Sequence, residues 1–249
     1  MESSFAALCT DFYVNQKIAL KMDLPSNRET VLHMMDRIRR ELPSMSRFRR
    51  FDDELALESP DEESEYSWLS LRRTSIRSGW VNPLSLERAY DLHRLILEVA
   101  PYFLSISPID VEYVELVFGF DLEAGDDRNA IVFEALLSNS PFSMVIDPER
   151  ETMLDVQPFL AFSLSSKGDL QAFLEIKTRP EQLEVHNGSV QQSPISVFLT
   201  ARRHGPFSVM EEMSATFGML AGHLERIAED RVIPNVVIPI REAILSRPT

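Results

Sequence analysis

The chain has 249 residues, 44% of them apolar and 26% charged, a mixture typical of soluble globular proteins. Its formal net charge of −14 repels phosphate backbones, so we do not expect it to bind nucleic acid. Only 8 residues are glycine, which argues against a glycine-rich nucleotide loop, and no apolar run approaches the ~20 residues that span a bilayer. The single cysteine, Cys9, cannot form an internal disulfide, which fits a reducing, cytoplasmic compartment.

The first predicted elements are a strand and a helix. Apolar residues alternate through residues 18–24, which is typical of a half-buried strand, and turn and cap residues follow at 25–27. Apolar residues then recur at helical spacing from Val31 to Leu42, and Pro43 ends the pattern. We therefore predict that a strand leads directly into an amphipathic helix.

Two further strands and a second helix complete the first hundred residues. The segments 47–59 and 66–80 each predict one strand, and an acidic loop separates them. A helix of about five turns begins at a cap residue, either Asn82 or Ser85. The predicted order of the first unit is β-α-β-β-α.

The second half of the chain repeats this opening. When residues 12–45 are aligned without gaps to residues 110–143, a shift of 98 positions, the strand-type and the helix-type spacing of apolar residues both match. Pro43 is then aligned with Pro141. Self-similarity of this kind predicts a duplicated unit, with residues 1–108 as the first copy and residues 109–249 as the second. A chance likeness between two ordinary amphipathic strand–helix pairs is the alternative.

The remaining segments predict the rest of the second unit. Strands are expected at residues 153–166 and 169–179, joined by a turn at Lys167-Gly168, and a polar insertion follows at residues 181–193. A strand then runs over 195–203 before the long closing helix 205–237, which breaks near Pro234. We predict one α+β fold in which a mainly antiparallel sheet packs helices on one face.

Several of these segments together resemble a sporadically distributed family of bacterial proteins of unknown function. The likeness rests on "LPSMSRF", "LHRLILEVAPYF", "VEYVELVFGFD", the hairpin "FLAFSLSSKGDLQAFLEI" and the late helix. It implies the order βαββα, strand, hairpin and C-terminal helix. The opening "FYVNQKIALKM" and the tail after Arg231 depart from the family's pattern, and the resemblance implies no activity or ligand.

Motifs for catalysis, cofactors or metals are absent from the sequence. There is no Walker A, G-x-S-x-G or dinucleotide fingerprint, and the five histidines form no metal-binding pattern. His33, His93 and His223 are expected at helix edges or surfaces, and Cys9 is expected to be a small, half-buried thiol. We therefore predict no catalytic residue, no metal site and no cofactor.

The sharpest candidate site consists of Arg73, Arg77, Arg202 and His204. In a duplicated fold, the strands that carry them would be related by a two-fold axis, so these side chains would converge. Guanidinium groups bind carboxylate or phosphate in a two-pronged manner, which makes a composite anion site physically reasonable. The alternative is that they are solvated strand-face charges, paired with the acidic excess of the chain.

A second set of arginines lies between Arg37 and Arg50, and an acidic run from Asp52 to Glu65 follows it directly. Mutual neutralisation within the fold is the expected outcome, in preference to an RNA-binding patch.

These observations favour a non-catalytic binding or protein-interaction role in the cytoplasm of a bacterium, and they leave catalysis open. Exposed edge strands, or the helix at 206–232, would contact a protein partner or a second copy of the chain. The alternative is an enzyme or sensor that binds an anionic small molecule in an arginine-lined groove between the two units. We expect no membrane association.

Overall fold

A computed structural model of the chain describes residues 4–25, 27–60, 65–125, 127–147, 150–178 and 194–247. Within these ranges, nine antiparallel strands form one sheet, and five α-helices accompany it. The strands are β1 (Asp11–Leu20), β2 (Arg47–Phe51), β3 (Glu54–Glu58), β4 (Tyr66–Arg72), β5 (Ser75–Val81), β6 (Val111–Leu122), β7 (Phe159–Ser163), β8 (Leu170–Lys177) and β9 (Ile195–His204). The helices are α1 (Arg28–Glu41), α2 (Leu86–Phe103), α3 (Arg128–Leu136), α4 (Glu211–Ile227) and α5 (Ile238–Leu245).

The centre of the sheet is the antiparallel pair β1–β6, and the full strand order is β2-β3-β4-β5-β1-β6-β9-β8-β7. Four phenylalanine rings meet above this pair. Phe12, Phe118 and Phe120 are fully buried there, and Phe5 from the preceding turn lies against all three, with centroid distances of 5.4–6.1 Å. This group of rings belongs to the one continuous core and joins the two halves of the chain.

The side-chain hydrogen bonds that join α2 and α4 to the sheet lie on one face of it. His93 of α2 bonds Ser78, and Thr216 of α4 accepts a hydrogen bond from Arg203. Ser78 is buried, and Arg203, although partly exposed, lies on the same face of β9 as the buried residues Ile195, Val197, Leu199 and Ala201. We call the opposite side the open face, and it carries the intervening residues of each strand. The prediction of an α+β fold with helices on one face of an antiparallel sheet is confirmed.

Side-chain caps explain where three helices begin. Asn27 accepts a hydrogen bond from the backbone of Glu29 at the start of α1, and Asp127 does the same for α3. At α2, Ser85 is the cap residue, whereas Asn82 lies before the helix with a φ of 48° and bonds β1. The predicted helix starts are therefore confirmed, with Ser85 chosen over Asn82.

The two segments between α1 and α2 that were each predicted to form one strand instead form one hairpin each. Segment 47–59 turns at Asp52-Asp53, so that β2 pairs with β3, and segment 66–80 turns at Arg73-Thr74. The predicted order β-α-β-β-α is wrong in this respect, because the first half contains five strands. Neither turn contains glycine or proline, so the sequence carries no strong turn signal there.

β1 also lies earlier than its apolar alternation predicts. The strand ends at Leu20, and Met22 is 68% exposed. The chain leaves the sheet here because the next two backbone N–H groups bond Asp110. Lys21 N–H donates to the Asp110 carbonyl oxygen, and Met22 N–H donates to the Asp110 carboxylate. The pattern at residues 22–24 therefore belongs to the connection into α1.

The strand order is compatible with a duplicated unit, which nevertheless remains a prediction. β1 and β6 each lead into a capped helix, and their hairpins extend outward in opposite directions. The first half has five strands and the second has four. The caps Asn27 and Asp127 are 100 residues apart, so the gapless shift of 98 is off by two residues at the helix start. Strand side chains alternate between the two faces, so a shift of two residues leaves each side chain on the same face. The apolar pattern of the strand therefore matches with a shift of either 98 or 100 positions.

The closing segments mostly follow the prediction, but the strand predicted from residue 153 begins at Phe159 and the helix predicted from residue 205 begins at Glu211. β7 and β8 form the expected hairpin, with Gly168 at a φ of 75° in the turn, and β9 follows. The predicted insertion at 181–193 lies outside the described residues. After α4 the helix widens into a π-type segment, Ala228–Val237, which contains Pro234 and leads into α5. No helix in the described ranges has the length and apolar character that crossing a membrane requires.

Candidate functional site

A groove of about 780 Å³ lies on the open face, at the end where β1, β5 and β6 meet the turns of the two N-terminal hairpins. Its lining is rich in charged groups and includes Lys17, Glu54, Arg72, Arg73, Arg77 and Tyr113. The volume is in the usual range for small-molecule sites. This groove is the polar cavity that contains two of the arginines predicted from the sequence.

Two cationic residues lie directly opposite each other in this groove. Lys17 of β1 and Arg77 of β5 are cross-strand partners in the antiparallel register, and both point to the open face. Like charges in that relation are unfavourable unless an anion or an acidic side chain lies between them. The Lys17 ammonium donates a 2.5 Å hydrogen bond to the Tyr113 hydroxyl, while Arg77 has no ion pair or hydrogen bond among the described residues.

Three polar atoms on this part of the open face are buried and lack a hydrogen-bond partner within the described parts of the chain. They are Nε of Arg77, Oγ of Ser70 and Oδ1 of Asn15. Ser70 is only 1% exposed and is the cross-strand partner of Arg77 on β4. Buried polar groups are normally satisfied, so a cluster of unsatisfied ones marks a place where a ligand or ordered water completes the bonding.

A glycine on β5 makes room for the side chains beside this cluster. A Cβ atom at Gly79 would lie 2.2 Å from Asn15 Oδ1 and 2.5 Å from the Trp68 indole nitrogen. Both neighbouring side chains therefore lie flat across the Gly79 backbone. On the other side of β1, the Tyr13 ring covers Gly119 in the same way, with its Cε2 at 2.1 Å from where the Cβ would be. The two glycines thus allow aromatic rings to pack closely against the open face.

Arg202 lies on the same face but is already neutralised. Its Nε donates a 2.7 Å hydrogen bond to Glu115, and a second nitrogen forms an ion pair with the same oxygen. The guanidinium carbon is 4.3 Å from the centroid of the Tyr113 ring and 4.9 Å from that of Phe173. Stacking and charge pairing therefore fix this arginine in place and leave it little capacity to bind a ligand.

The four residues predicted from the sequence separate into two pairs. Arg73 and Arg77 line the groove, whereas Arg202 and His204 lie on β9. Arg77 and Arg202 are separated by three strand spacings, about 14 Å. Arg73 is 81% exposed and paired with Asp23 at 2.9 Å, and His204 packs edge-on against the Tyr113 ring at 5.5 Å. Of the four, Arg77 alone faces the groove without a partner.

The groove also contains acidic residues, which neutralise part of its positive charge. Glu54 is held by Arg72 at 2.6 Å, and Asp52, Asp53 and Glu112 complete the acidic part of the lining. The two aspartates form the β2–β3 turn, at the far side of the groove from β1. Lys17 lies opposite Glu115 of β6, which pairs with Arg202, so Arg77 is the groove arginine that has no acidic partner among the described residues.

Sequence reasoning missed Lys17, Tyr113, Asn15 and Ser70. The available signal was the alternation along residues 11–20, which places Tyr13, Asn15 and Lys17 on one face of β1. What the sequence does not contain is the register that sets Lys17 against Arg77, which lies 60 positions further along the chain.

The other candidate chemistry has a structural explanation. The described residues contain no group of three His, Cys, Asp or Glu side chains that could hold a metal ion. Burial, followed by the charges of Asp121 and Asp11, raises the pKa of the Cys9 thiol to about 12, so this thiol is protonated and a poor nucleophile at neutral pH.

The second set of arginines is partly neutralised within the fold, as predicted. Arg39 and Arg40 both bind Asp36 of their own helix, at 2.7 and 2.8 Å, and Arg49 binds Glu58 at 3.0 Å. The Arg49–Glu58 pair draws on the acidic run that follows in the sequence, whereas Asp36 belongs to α1 itself.

Comparisons with known proteins do not identify this chain. No model of a known protein family matches the sequence, and no curated protein gives a significant match. Among solved structures, the crystal structure of the di-domain ARO/CYC BexL from the BE-7585A biosynthetic pathway aligns with 95% of this chain and 99% of its own. The sequence identity is 8% and the TM-score is 0.21, so the likeness supports no inference about fold or activity. The resemblance to a bacterial family stays a prediction.

Proposed function

We propose that this protein binds a small molecule carrying a carboxylate or phosphate group in the groove on its open face. The observation that carries the proposal is the cross-strand pair Lys17–Arg77, in which Arg77 has no partner among the described residues and its Nε is buried. An oxyanion between the two cations would remove their repulsion and satisfy the buried nitrogen. Both contacts would be charge-assisted hydrogen bonds, which are the stronger kind.

The surroundings favour a ligand with a polar group and a flat or apolar part. Tyr113 borders the cationic pair, and the Trp68 indole lies over Gly79 one step further along the face. Aromatic faces bind rings and apolar surfaces, while a few placed polar groups orient the ligand. Arg202 and Glu115 lie behind Tyr113, outside the groove lining, and each already satisfies the other.

The proposal is tested by thermal unfolding and calorimetry with inorganic phosphate and succinate as probes. A ligand that binds only the folded state stabilises it by about 2.7 kcal/mol when its concentration is a hundred times the dissociation constant. We expect a saturable rise in melting temperature that shrinks as sodium chloride is added, because salt screens the attraction. In Arg77→Gln this rise should be lost.

The control is Arg40→Gln, which removes a 75% exposed arginine of α1. It changes the net charge of the protein by the same amount as Arg77→Gln. This variant should retain the full shift, which separates a specific site from general anion attraction. Arg77→Gln itself should fold normally without ligand, since it relieves a like-charge contact. Equal shifts in both variants, or none in the wild type with either probe, would refute the proposed site.

A further inference from the structure

The two edges of the sheet differ sharply in charge. The outer strand β2 carries Arg47, Arg49 and Arg50 within five residues, whereas β7 at the opposite edge has no charged side chain. Charged edges prevent strands from adding to a sheet, because pairing would bring like charges together. β2 is therefore protected against self-pairing, and β7 is not.

The region around β7 is also unusually apolar for a surface. Leu160 is 60% exposed and Phe159 is 57% exposed. Leu154, five residues before the strand, is 84% exposed as well. Concentrations of this kind usually mark interaction surfaces.

The backbone of β7 has free hydrogen-bonding groups along its outer side. Leu164 N–H bonds Leu170 O at 2.8 Å, and Ile176 N–H bonds Pro158 O at 3.0 Å, so the even-numbered residues of β7 face β8. The N–H and C=O groups of Phe159, Ala161 and Ser163 consequently point away from the sheet. No strand of the described chain pairs with this side.

We propose that β7 pairs with β7 of a second copy of this chain, antiparallel across a two-fold axis at Ala161. In this arrangement Phe159 faces Ser163 of the second copy, Leu160 faces Phe162, and Ala161 faces its own equivalent. Roughly six backbone hydrogen bonds would form between outward-facing groups. The strand suits its own copy because antiparallel self-pairing places no charge against a like charge, although each chain has a net charge of −14.

The first test is the mass in solution, measured by light scattering and sedimentation over a range of concentrations. We expect the wild type to reach twice the 28.5 kDa of one chain as concentration rises. Ala161→Pro removes an outward N–H without removing a bond to β8, because proline is tolerated on the free side of an edge strand. This variant should stay at the mass of one chain.

A second pair of variants keeps the test decisive if the proline affects folding. Leu160→Arg places a charge at the centre of the proposed interface and should also give a monomer. Phe48→Arg makes the same change on the β2 edge, where the phenylalanine is 46% exposed, and should leave the dimer intact.

Amide hydrogen exchange of the wild type gives a readout that needs no substitution. The Ala161 N–H should exchange quickly in dilute solution and become protected as the dimer forms. A wild type that is monomeric at every concentration, or a dimer that survives both β7 substitutions, would overturn the proposal.

Discussion

Replacement of Phe118 by alanine is expected to lower the free energy of unfolding by roughly 3–5 kcal/mol. Phe118 is fully buried on β6, and the rings of Phe12 and Phe5 lie 5.6 and 6.0 Å from it. Truncation removes the apolar surface of the ring and leaves a cavity that a strand in the middle of a nine-strand sheet cannot collapse to fill. This loss is a large fraction of the 5–15 kcal/mol typical of a whole domain.

The measurement is urea unfolding followed by circular dichroism, with Phe48→Ala as the control. Phe48 lies on the edge strand β2 and is 46% exposed, so its truncation should cost less than about 1 kcal/mol. Similar losses in the two variants would mean that the structural centre does not lie at the β1–β6 pair.

The second large effect concerns His93, which lies in the core and not at the helix edge that the sequence predicts. It is fully buried on α2, with Nδ1 at 2.8 Å from the Ser78 hydroxyl and Nε2 at 3.3 Å from the carbonyl oxygen of Val14. The neutral ring satisfies both partners by donating from Nε2 and accepting at Nδ1. Burial lowers the pKa of His93 to about 3, whereas the pKa of an unfolded histidine is near 6.5.

The depressed pKa makes the protein less stable as the pH falls below 6.5. The unfolded chain takes up a proton at His93 in this range, and the folded chain does not until the pH approaches 3. The resulting loss is about 1.4 kcal/mol per pH unit, or about 2 kcal/mol between pH 6.5 and pH 5. Above pH 6.5 this residue contributes no pH dependence.

Unfolding free energies at pH 7 and pH 5 test this expectation. In His93→Gln the loss of stability on acidification should be smaller than in the wild type by about 2 kcal/mol, because the carboxylates contribute equally to both. His33→Gln, which changes an exposed histidine of α1, should keep the full loss. If all three proteins lose the same stability, His93 is not buried in its neutral form.

Local signals predicted the helices and the isolated hairpin well. The starts of three helices are marked by the cap residues Asn27, Ser85 and Asp127. Each short polar side chain accepts a hydrogen bond from the backbone two or three residues later, which is a local interaction. Gly168 marks the β7–β8 turn because it takes up a positive φ. The N-terminal hairpins were missed because their turns, Asp52-Asp53 and Arg73-Thr74, contain neither glycine nor proline.

The candidate site was less predictable, because it depends on which strands become neighbours. Arg77 was identified from its residue type and its place near a strand. That Arg202 is neutralised by Glu115, 87 positions earlier, and that Lys17 faces Arg77, follow from the long-range pairing of β6 with β9 and of β1 with β5. The burial of His93 was missed for a related reason, since its polar partners come from two strands and not from its own helix.

Nitrogen-15 NMR of the arginine side chains, during titration with inorganic phosphate, tests most directly whether Lys17 and Arg77 form an anion site. The buried Nε–H of Arg77 should exchange slowly enough with water to give a resolved signal. We predict a saturable shift of this signal, with the dissociation constant that calorimetry gives and with little change at Arg40. An Arg77 signal that does not move, or moves no more than those of exposed arginines, would contradict the account.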